Sequence, residues 1–116
     1  MKAIYKHLLK INEVHQTVQL PLNSTILSIQ NQNEFAVLWA IVDTDEIETI
    51  TVDILMIPTG RVIVDDLSKY VYLSTCQFVC GKYVCHYFIK YEYNEKPLSI
   101  NNTNRKRYEY DKTKEV

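Results

Sequence analysis

The stretch from Phe35 to Asp43 constrains the fold of this chain more than any other. Eight apolar residues follow one another, Phe-Ala-Val-Leu-Trp-Ala-Ile-Val, and the run ends on an acid. A strand with one face in water would alternate apolar and polar residues, and this one does not. We therefore predict a strand in the middle of a sheet with both faces covered.

Six further segments have the composition or the period-two alternation of β-strands. Turn residues separate them at intervals of roughly 8 to 12 residues. In residues 49–58 the predicted inward set is Ile50, Val52, Ile54 and Met56. In residues 25–32 it is Leu27 and Ile29. One short helical turn is predicted within residues 62–69, with Asp65 or Asp66 near its start.

These segments predict an all-β fold, a single antiparallel β-sandwich or flattened barrel of about seven strands. The pattern leaves the choice between the two architectures open. The β domain is predicted over residues 1–92, and a polar carboxy-terminal arm over residues 93–116, where charged residues replace apolar ones.

Residues 70–80 and 83–91 read as two long strands joined by Gly81-Lys82, which suits a type II′ hairpin turn. A two-residue loop predicts one register for the hairpin. The predicted pairs are Cys80 with Tyr83, Phe78 with Cys85, Gln77 with His86, and Cys76 with Tyr87.

The formal net charge of -1 argues against a general binder of long nucleic acids, which would be basic. The first residues lack the apolar stretch of a signal peptide, and no apolar run is long enough to span a membrane. We therefore expect a cytoplasmic protein whose three cysteines are free thiols.

The residues in Cys76-(x)3-Cys80-(x)4-Cys85-His86 raise the possibility of a zinc site or a Cys-His hydrolase. The CxxC spacing of structural zinc sites is absent, and the predicted hairpin puts His86 on the opposite face from the sulfurs. The acidic run from Asp43 to Glu48 lacks metal-ligand spacing. Two glycines are too few for a glycine-rich phosphate cradle. We predict no enzymatic activity, no metal site and no cofactor.

Some residues suit an anionic ligand that carries a base. Thr59-Gly60-Arg61 offers a hydroxyl, an unhindered amide and a guanidinium, which together suit a phosphate. The alternative is a plain turn with a surface arginine. Trp39 could stack on a purine or belong to the core. Arg105 and Arg107 could reach a phosphate or lie in a solvated tail. Gln30 and Gln32 could read a base edge.

The order of these residues resembles a family of small phage and prophage proteins of uncharacterised domain type. The residues that carry the resemblance are Ile4-Tyr5-Lys6, Gln16-Thr17-Val18, Leu20-Pro21, Ile26-Leu27-Ser28-Ile29-Gln30-Asn31-Gln32, Leu38-Trp39-Ala40-Ile41-Val42-Asp43, Thr59-Gly60, Thr75, Gln77 and His86-x-Phe88. Members of that family often carry Gly-Thr-Gly-His-Pro, from which Pro58-Thr59-Gly60-Arg61-Val62 departs.

Small all-β phage proteins include sponges that sequester cyclic-nucleotide or cyclic ADP-ribose immune signals. The resemblance therefore implies a homo-oligomer that captures such a signal in an infected or lysogenic bacterial host. The expected ligand-binding residues are Thr59, Gly60, Arg61, Trp39, Arg105 and Arg107. The alternative is a small phage accessory protein that acts through protein–protein interaction alone, using aromatic residues of the 70–91 hairpin. A zinc-bearing or hydrolytic enzyme is a third hypothesis.

Overall fold

The computed structural model describes residues 1–90, 99–100 and 107–108. Most of these residues lie in strands, and the predicted helical turn forms as a short 3-10 helix at Leu67–Lys69, where the Asp66 carboxylate accepts from the Ser68 amide. The strands are β1 Lys2–Leu8, β2 His15–Pro21, β3 Thr25–Gln32, β4 Phe35–Asp43, β5 Thr49–Pro58, β6 Tyr70–Phe78, β7 Tyr83–Lys90, β8 Ser99–Ile100 and β9 Arg107–Tyr108.

The strands form two sheets. Sheet 1 has the order β1-β4-β3-β8, and sheet 2 has the order β2-β5-β7-β6-β9. The seven longer strands pair antiparallel, whereas the two-residue β8 pairs parallel with β3. The all-β prediction is confirmed, and β4 lies in the middle of sheet 1 as the apolar run predicted. None of the helical segments in the described part of the chain has the length and apolar character that a membrane crossing needs.

The main hydrophobic core lies between the inner faces of the two sheets. On β4 it takes every second residue, and on β5 it takes the predicted inward set. These residues are Ala36, Leu38, Ala40 and Val42 from β4, and Ile50, Val52, Ile54 and Met56 from β5. All are buried, so removal of their apolar surface from water is the main source of stability.

The two sheets are joined along the edge where β3 meets β6. The Ile29 amide donates to the Ser74 hydroxyl at 3.0 Å, and the Cys76 thiol donates to the Ile29 carbonyl at 3.3 Å. Farther along, the Asn31 side-chain amide donates to the Gln77 carbonyl at 2.7 Å. The fold is therefore a sandwich that is partly closed on one side, which accommodates both predicted architectures.

Two details of the strands differ from the predictions. The outer face of β4 is incompletely covered, because the Phe35 side chain is 52% exposed, so the prediction that both faces are covered is wrong at this residue. In β3 a bulge at Leu27 shifts the register, so that Ile26 and Ile29 are the buried residues. A bulge breaks the period-two alternation on which the predicted pair Leu27 and Ile29 rested.

The predicted register of the β6–β7 hairpin is wrong by two residues. Residues 79–82 form the loop, and Phe78 pairs with Tyr83. The Glu34 carboxylate accepts from the Val79 amide at 2.7 Å, so a residue distant in sequence holds the wider loop. The shift places Cys76 opposite Cys85, and it moves the partner of His86 from Gln77 to Thr75. These two pairs determine which polar and sulfur-containing side chains of the hairpin lie next to each other.

Parts of the predicted arm contact the β domain. The backbone of Ser99–Ile100 pairs with β3, and Ile100 packs against the main core. The backbone of Arg107–Tyr108 pairs with β6. The division between a domain ending at residue 92 and an arm beginning at residue 93 stays a prediction.

Candidate functional site

The turn after β5 contains Thr59-Gly60-Arg61, for which the sequence predicted contact with a phosphate. The Arg61 amide donates to the Pro58 carbonyl at 3.2 Å, and Gly60 adopts a φ of 91°. A positive φ at the third position of a turn is typical of type II and favours glycine. Apart from Gly60 and its two chain neighbours, no described heavy atom lies within 4 Å of where a Cβ would stand on Gly60, so the turn is open to an approaching ligand.

A chain of polar side chains continues from this turn across the outer face of sheet 2. Hydrogen bonds join the Thr59 hydroxyl to His86 Nε2 at 2.7 Å and His86 Nδ1 to the Thr75 hydroxyl at 2.9 Å. The Tyr72 hydroxyl is 2.6 Å from the Thr75 hydroxyl. We call Thr59, His86, Thr75 and Tyr72 the polar chain. Because both ring nitrogens of His86 are engaged, the imidazole is held in one orientation beside the turn.

The sequence did not predict the polar chain. Thr75 was singled out only as part of the family resemblance. His86 was considered with the cysteines as a zinc or catalytic residue, and the predicted two-residue hairpin loop placed it opposite Gln77. A four-residue loop places Thr75 directly opposite His86. The sequence does show that Thr75 and His86 are polar residues within the two predicted hairpin strands. It does not show that they are paired, because that depends on the register of the hairpin.

An apolar cluster covers the middle of the same outer face. Leu55, Ile57 and Phe88 are buried there, apart from the main core. The residues that pack around them are Val14, Leu67, Tyr70 and Tyr72. The Tyr72 and Phe88 rings meet edge to face with centroids 5.8 Å apart. Tyr72 thus joins the apolar cluster to the polar chain, and Leu67 brings the segment after the turn over the sheet.

A groove of about 350 Å³ lies on the far side of that cluster. Its lining residues are His15, Gln16, Thr17, Asp53, Ile54 and Tyr70. His15 Nε2 lies 2.9 Å from the Asp65 carboxylate, which ties the segment after the turn to β2. Burial, followed by the negative charges of Asp53 and Asp65, raises the pKa of the Tyr70 hydroxyl. The sequence did not predict this groove, whose lining combines polar and apolar surface.

Trp39 lies away from this face. It alternates with the buried Leu38 and Ala40 on β4, so its side chain is on the outer face of sheet 1. The Lys6 ammonium is 5.9 Å from its ring centroid and donates to the Gln32 side chain at 2.9 Å. The structure therefore places Trp39 and Thr59-Gly60-Arg61 on opposite outer surfaces of the sandwich, and a small ligand could contact both only between two copies of the chain.

The remaining predicted ligand residues belong to the arm. The backbone of Arg107 pairs with Val71 of β6, which places this point of the chain at the edge of sheet 2. Arg105 lies outside the described residues. Gln30 is exposed on sheet 1, on the same face as Trp39.

The cysteines are not arranged as a reactive or metal-binding cluster. Cys76 and Cys85 oppose each other on the inner face, and Cys80 is exposed in the hairpin loop. Burial raises the pKa of the Cys76 thiol to about 11, and it also raises the pKa of Cys85. A thiolate is therefore disfavoured at both positions. Among the described residues, no group of three histidine, cysteine or carboxylate side chains has the arrangement of a metal site.

The acidic connection between β4 and β5 makes local hydrogen bonds. The Asp43 carboxylate accepts from the Asp45 amide at 3.0 Å, and the Glu46 carboxylate accepts from the Glu48 amide at 3.0 Å. The backbone hydrogen bond from Asp45 is the main cause of the lowered pKa of Asp43. Each carboxylate accepts from the amide two residues later, which is a local contact that stabilises the loop.

Comparison with known proteins adds the family. No curated protein and no solved structure matches the chain significantly. The profile of one family, described as a domain of unknown function (DUF7352), matches residues 1–97. This match includes the seven longer strands, the turn after β5 and the polar chain. The chain belongs to the DUF7352 family.

Proposed function

We propose that this protein binds a small, phosphate-bearing nucleotide at the Thr59-Gly60-Arg61 turn and holds it without transforming it. The observation that carries the proposal is the juxtaposition of an open type II turn, an exposed arginine and the polar chain on one face. An arginine fork and backbone amides are the groups that proteins use to hold phosphate oxygens.

Charge at the turn favours an anion. Arg61 is exposed, and no described acidic side chain forms an ion pair with it. Its guanidinium can therefore meet a ligand without first breaking an ion pair to a described carboxylate. The Thr59 hydroxyl could add a hydrogen bond, since its position is fixed by His86.

Binding without catalysis is supported by how His86 is held. In a nucleophile–base pair, a hydroxyl contacts one histidine nitrogen, and a carboxylate on the other nitrogen stabilises the imidazolium that forms. Hydroxyls occupy both ring nitrogens of His86, and the buried thiols resist ionisation. His86 has a hydroxyl where a carboxylate would stabilise an imidazolium, which supports a role in orienting a ligand over one in activating a nucleophile.

The finer proposal is that the ligand is a cyclic nucleotide or a cyclic ADP-ribose-type immune signal. The protein would then be a phage-encoded sponge that counters antiviral defence in the cytoplasm of its host. The resemblance to small phage proteins and the phosphate chemistry of the turn support this proposal. Arg105 and Arg107 would contribute cations from the arm, and Trp39 of a second copy would stack on the base.

The direct test is calorimetry of the purified chain with a panel of cyclic di- and trinucleotides and cyclic ADP-ribose isomers. We expect Arg61→Ala to weaken binding at least tenfold and Arg61→Lys to restore only part of it, because lysine lacks the planar fork. Lys2→Ala removes a cation from sheet 1 and should change affinity less than twofold. Absence of binding to every member of the panel would contradict the finer proposal.

A second function, contact with a protein partner and no nucleotide ligand, is favoured by a different observation. The aromatic residues expected to mediate such contact are unsuited to it, because Tyr87 is buried and Tyr70, Tyr72 and Tyr83 are half-buried. The segment after the turn, however, exposes Val62 by 79% and Val64 by 87%. Capture of a phage or host protein that is lost in Val64→Asp and kept in Arg61→Ala would favour this function over nucleotide binding.

A further inference from the structure

The polar chain on the outer face of sheet 2 has a limited supply of protons. Its contacts join Thr59 to His86 Nε2, His86 Nδ1 to Thr75, and Thr75 to Tyr72. Each hydroxyl has one proton to donate, and a neutral imidazole has one N–H and one nitrogen lone pair. The direction of one hydrogen bond in the polar chain therefore restricts the direction of the next.

Two arrangements satisfy the contacts of a neutral His86 ring. In the first, Thr59 donates to Nε2, and Nδ1–H donates to Thr75. In the second, Nε2–H donates to Thr59, and Thr75 donates to Nδ1. The second arrangement uses the proton of Thr75, so Tyr72 must be the donor to Thr75. The arrangements correspond to the two tautomers of His86, and they leave different groups available at Thr59.

Tyr72 favours the second arrangement. A phenol is a stronger acid than an aliphatic hydroxyl, which makes it the better donor and the poorer acceptor. The Tyr72 and Thr75 oxygens are 2.6 Å apart, at the short end of the range for hydroxyl hydrogen bonds. With Tyr72 as the donor, Thr75 can give its proton to Nδ1, and the ring N–H is then at Nε2. Hydrogen bonds that run in one direction also strengthen one another.

We propose that the polar chain is a directed series of hydrogen bonds, from Tyr72 to Thr75, from Thr75 to His86 and from His86 to Thr59. The Thr59 hydroxyl then keeps its own proton for a ligand. If the turn holds a phosphate, as in the proposed function on which this inference rests, Thr59 donates to an ionised phosphate oxygen. In the opposite tautomer, Thr59 would give its proton to His86 and would present lone pairs, which repel an anion.

The members of the polar chain then have different roles. Thr59 is the residue that meets the ligand, beside Gly60 and Arg61. Tyr72, Thr75 and His86 are positioning residues, because they act on the ligand through the Thr59 proton. Arg61 can only donate, so its contribution does not depend on the direction of the chain. The polar chain therefore makes the turn selective for a group that accepts hydrogen bonds at both positions.

The first test needs no ligand. Heteronuclear NMR distinguishes a protonated ring nitrogen from an unprotonated one, and the signals lost in His86→Gln identify this ring among the three histidines. In the neutral form of the wild-type ring we expect a proton on Nε2 and none on Nδ1. A proton mainly on Nδ1, or equal populations of the two tautomers, would overturn the proposal.

The same signals test the positioning residues. Thr75→Val removes the donor to Nδ1, and it should increase the population with a proton on Nδ1. Thr75→Ser keeps a hydroxyl and should leave the wild-type populations in place. Tyr72→Phe should shift them in the same direction as Thr75→Val but less, since Thr75 can still donate. Unchanged populations in Thr75→Val would show that Thr75 does not set the tautomer, which would overturn the proposal.

A second test uses inorganic pyrophosphate as the probe and follows the amide signals of residues 59–61. Thr59→Val should weaken pyrophosphate binding about tenfold, because it removes one hydrogen bond to a charged oxygen. Thr59→Ser keeps the donor and should bind about as well as the wild type. Equal binding by the wild type and Thr59→Val would overturn this inference and leave the proposed function standing. A protein in which pyrophosphate changes none of these signals, yet in which Nε2 carries the proton, would contradict the proposed function and confirm the direction of the chain.

Discussion

The outer faces of the two sheets differ in how far the rest of the chain covers their apolar side chains. On sheet 2, the segment after the turn and the residues before β2 cover the apolar side chains, and Phe88 is only 7% exposed. On sheet 1, Phe35 is 52% exposed, and the neighbouring Ile4 and Leu8 are exposed as well. A sheet face that the chain covers contributes to folding stability, whereas an exposed apolar face is available to a partner.

The outer face of sheet 2 also carries the more extensive network of polar side chains. On sheet 2 the polar chain connects the turn after β5 with β6 and β7 through three hydrogen bonds. On sheet 1 Lys6 donates one hydrogen bond to Gln32 at an exposed position and lies over the Trp39 ring. The network on sheet 2 fixes side chains in place, which suits a ligand site. The contact between Lys6 and Gln32 on sheet 1 holds fewer side chains in place.

A matched pair of phenylalanine variants tests this difference with the largest expected effect. Phe88→Ala should lower the free energy of unfolding by about 3 kcal/mol, because it opens a cavity in the outer apolar cluster. Phe35→Ala should lower it by less than about 1 kcal/mol, since half of that side chain is already in water. Urea denaturation of both variants measures the difference. Equal losses would show that sheet 1 is covered in solution.

A leucine pair tests whether the segment after the turn acts as a cover. Leu67→Ala removes a half-buried side chain from the outer apolar cluster and should cost about 1.5 kcal/mol. Leu8→Ala, at an exposed position, should cost less than about 0.5 kcal/mol. Hydrogen exchange adds a local measurement, because loss of the cover should speed exchange in β5 and β7 of the Leu67 variant only. A uniform increase across both sheets would argue against a separate cover.

The polar networks can be compared by substituting one member of each. Thr75→Val removes the hydroxyl shared by His86 and Tyr72, and we expect a loss of about 1 kcal/mol in the free energy of unfolding. Gln32→Ala removes the acceptor of Lys6 and should change it by less than about 0.5 kcal/mol. The Thr75 variant should also weaken any ligand bound at the turn, because the His86 ring would lose one of its two anchors. If both variants behave alike, the polar chain has no special positioning role.

These pairs also show how far the sequence determines the structure. The inward set of β5 and the central position of β4 follow from burial patterns within single strands, and they were predicted from the sequence. The loop at residues 79–82 depends on Asn31 of β3 and on Glu34 in the turn between β3 and β4, and no local pattern in the hairpin reports such contacts. The polar chain could not be predicted for the same reason, because the pairing of Thr75 with His86 follows from the length of that loop. Thr59-Gly60-Arg61 was recognisable because a turn is local.

The smallest predicted effect concerns pH and compares the edge of sheet 1 with the segment over sheet 2. Burial lowers the pKa of His7, whose Nδ1 has no hydrogen-bond partner in the described structure. Its folded pKa is thus below its unfolded value of about 6.5, so the unfolded chain binds the proton more readily. This contribution to stability is complete above that value and is lost as the pH falls below it.

We therefore expect the urea midpoint of the wild-type protein to fall between pH 7.5 and pH 5.5, and the fall to be smaller in His7→Gln. His15→Gln is the control on the other sheet. It removes an exposed histidine together with its 2.9 Å contact to Asp65, and it should leave the pH dependence in place. One protein concentration should be used throughout, because any self-association would add stability that varies with concentration. An unchanged pH dependence in His7→Gln would mean that the ring is hydrated in solution and that the edge at β1 opens more readily than the segment over sheet 2.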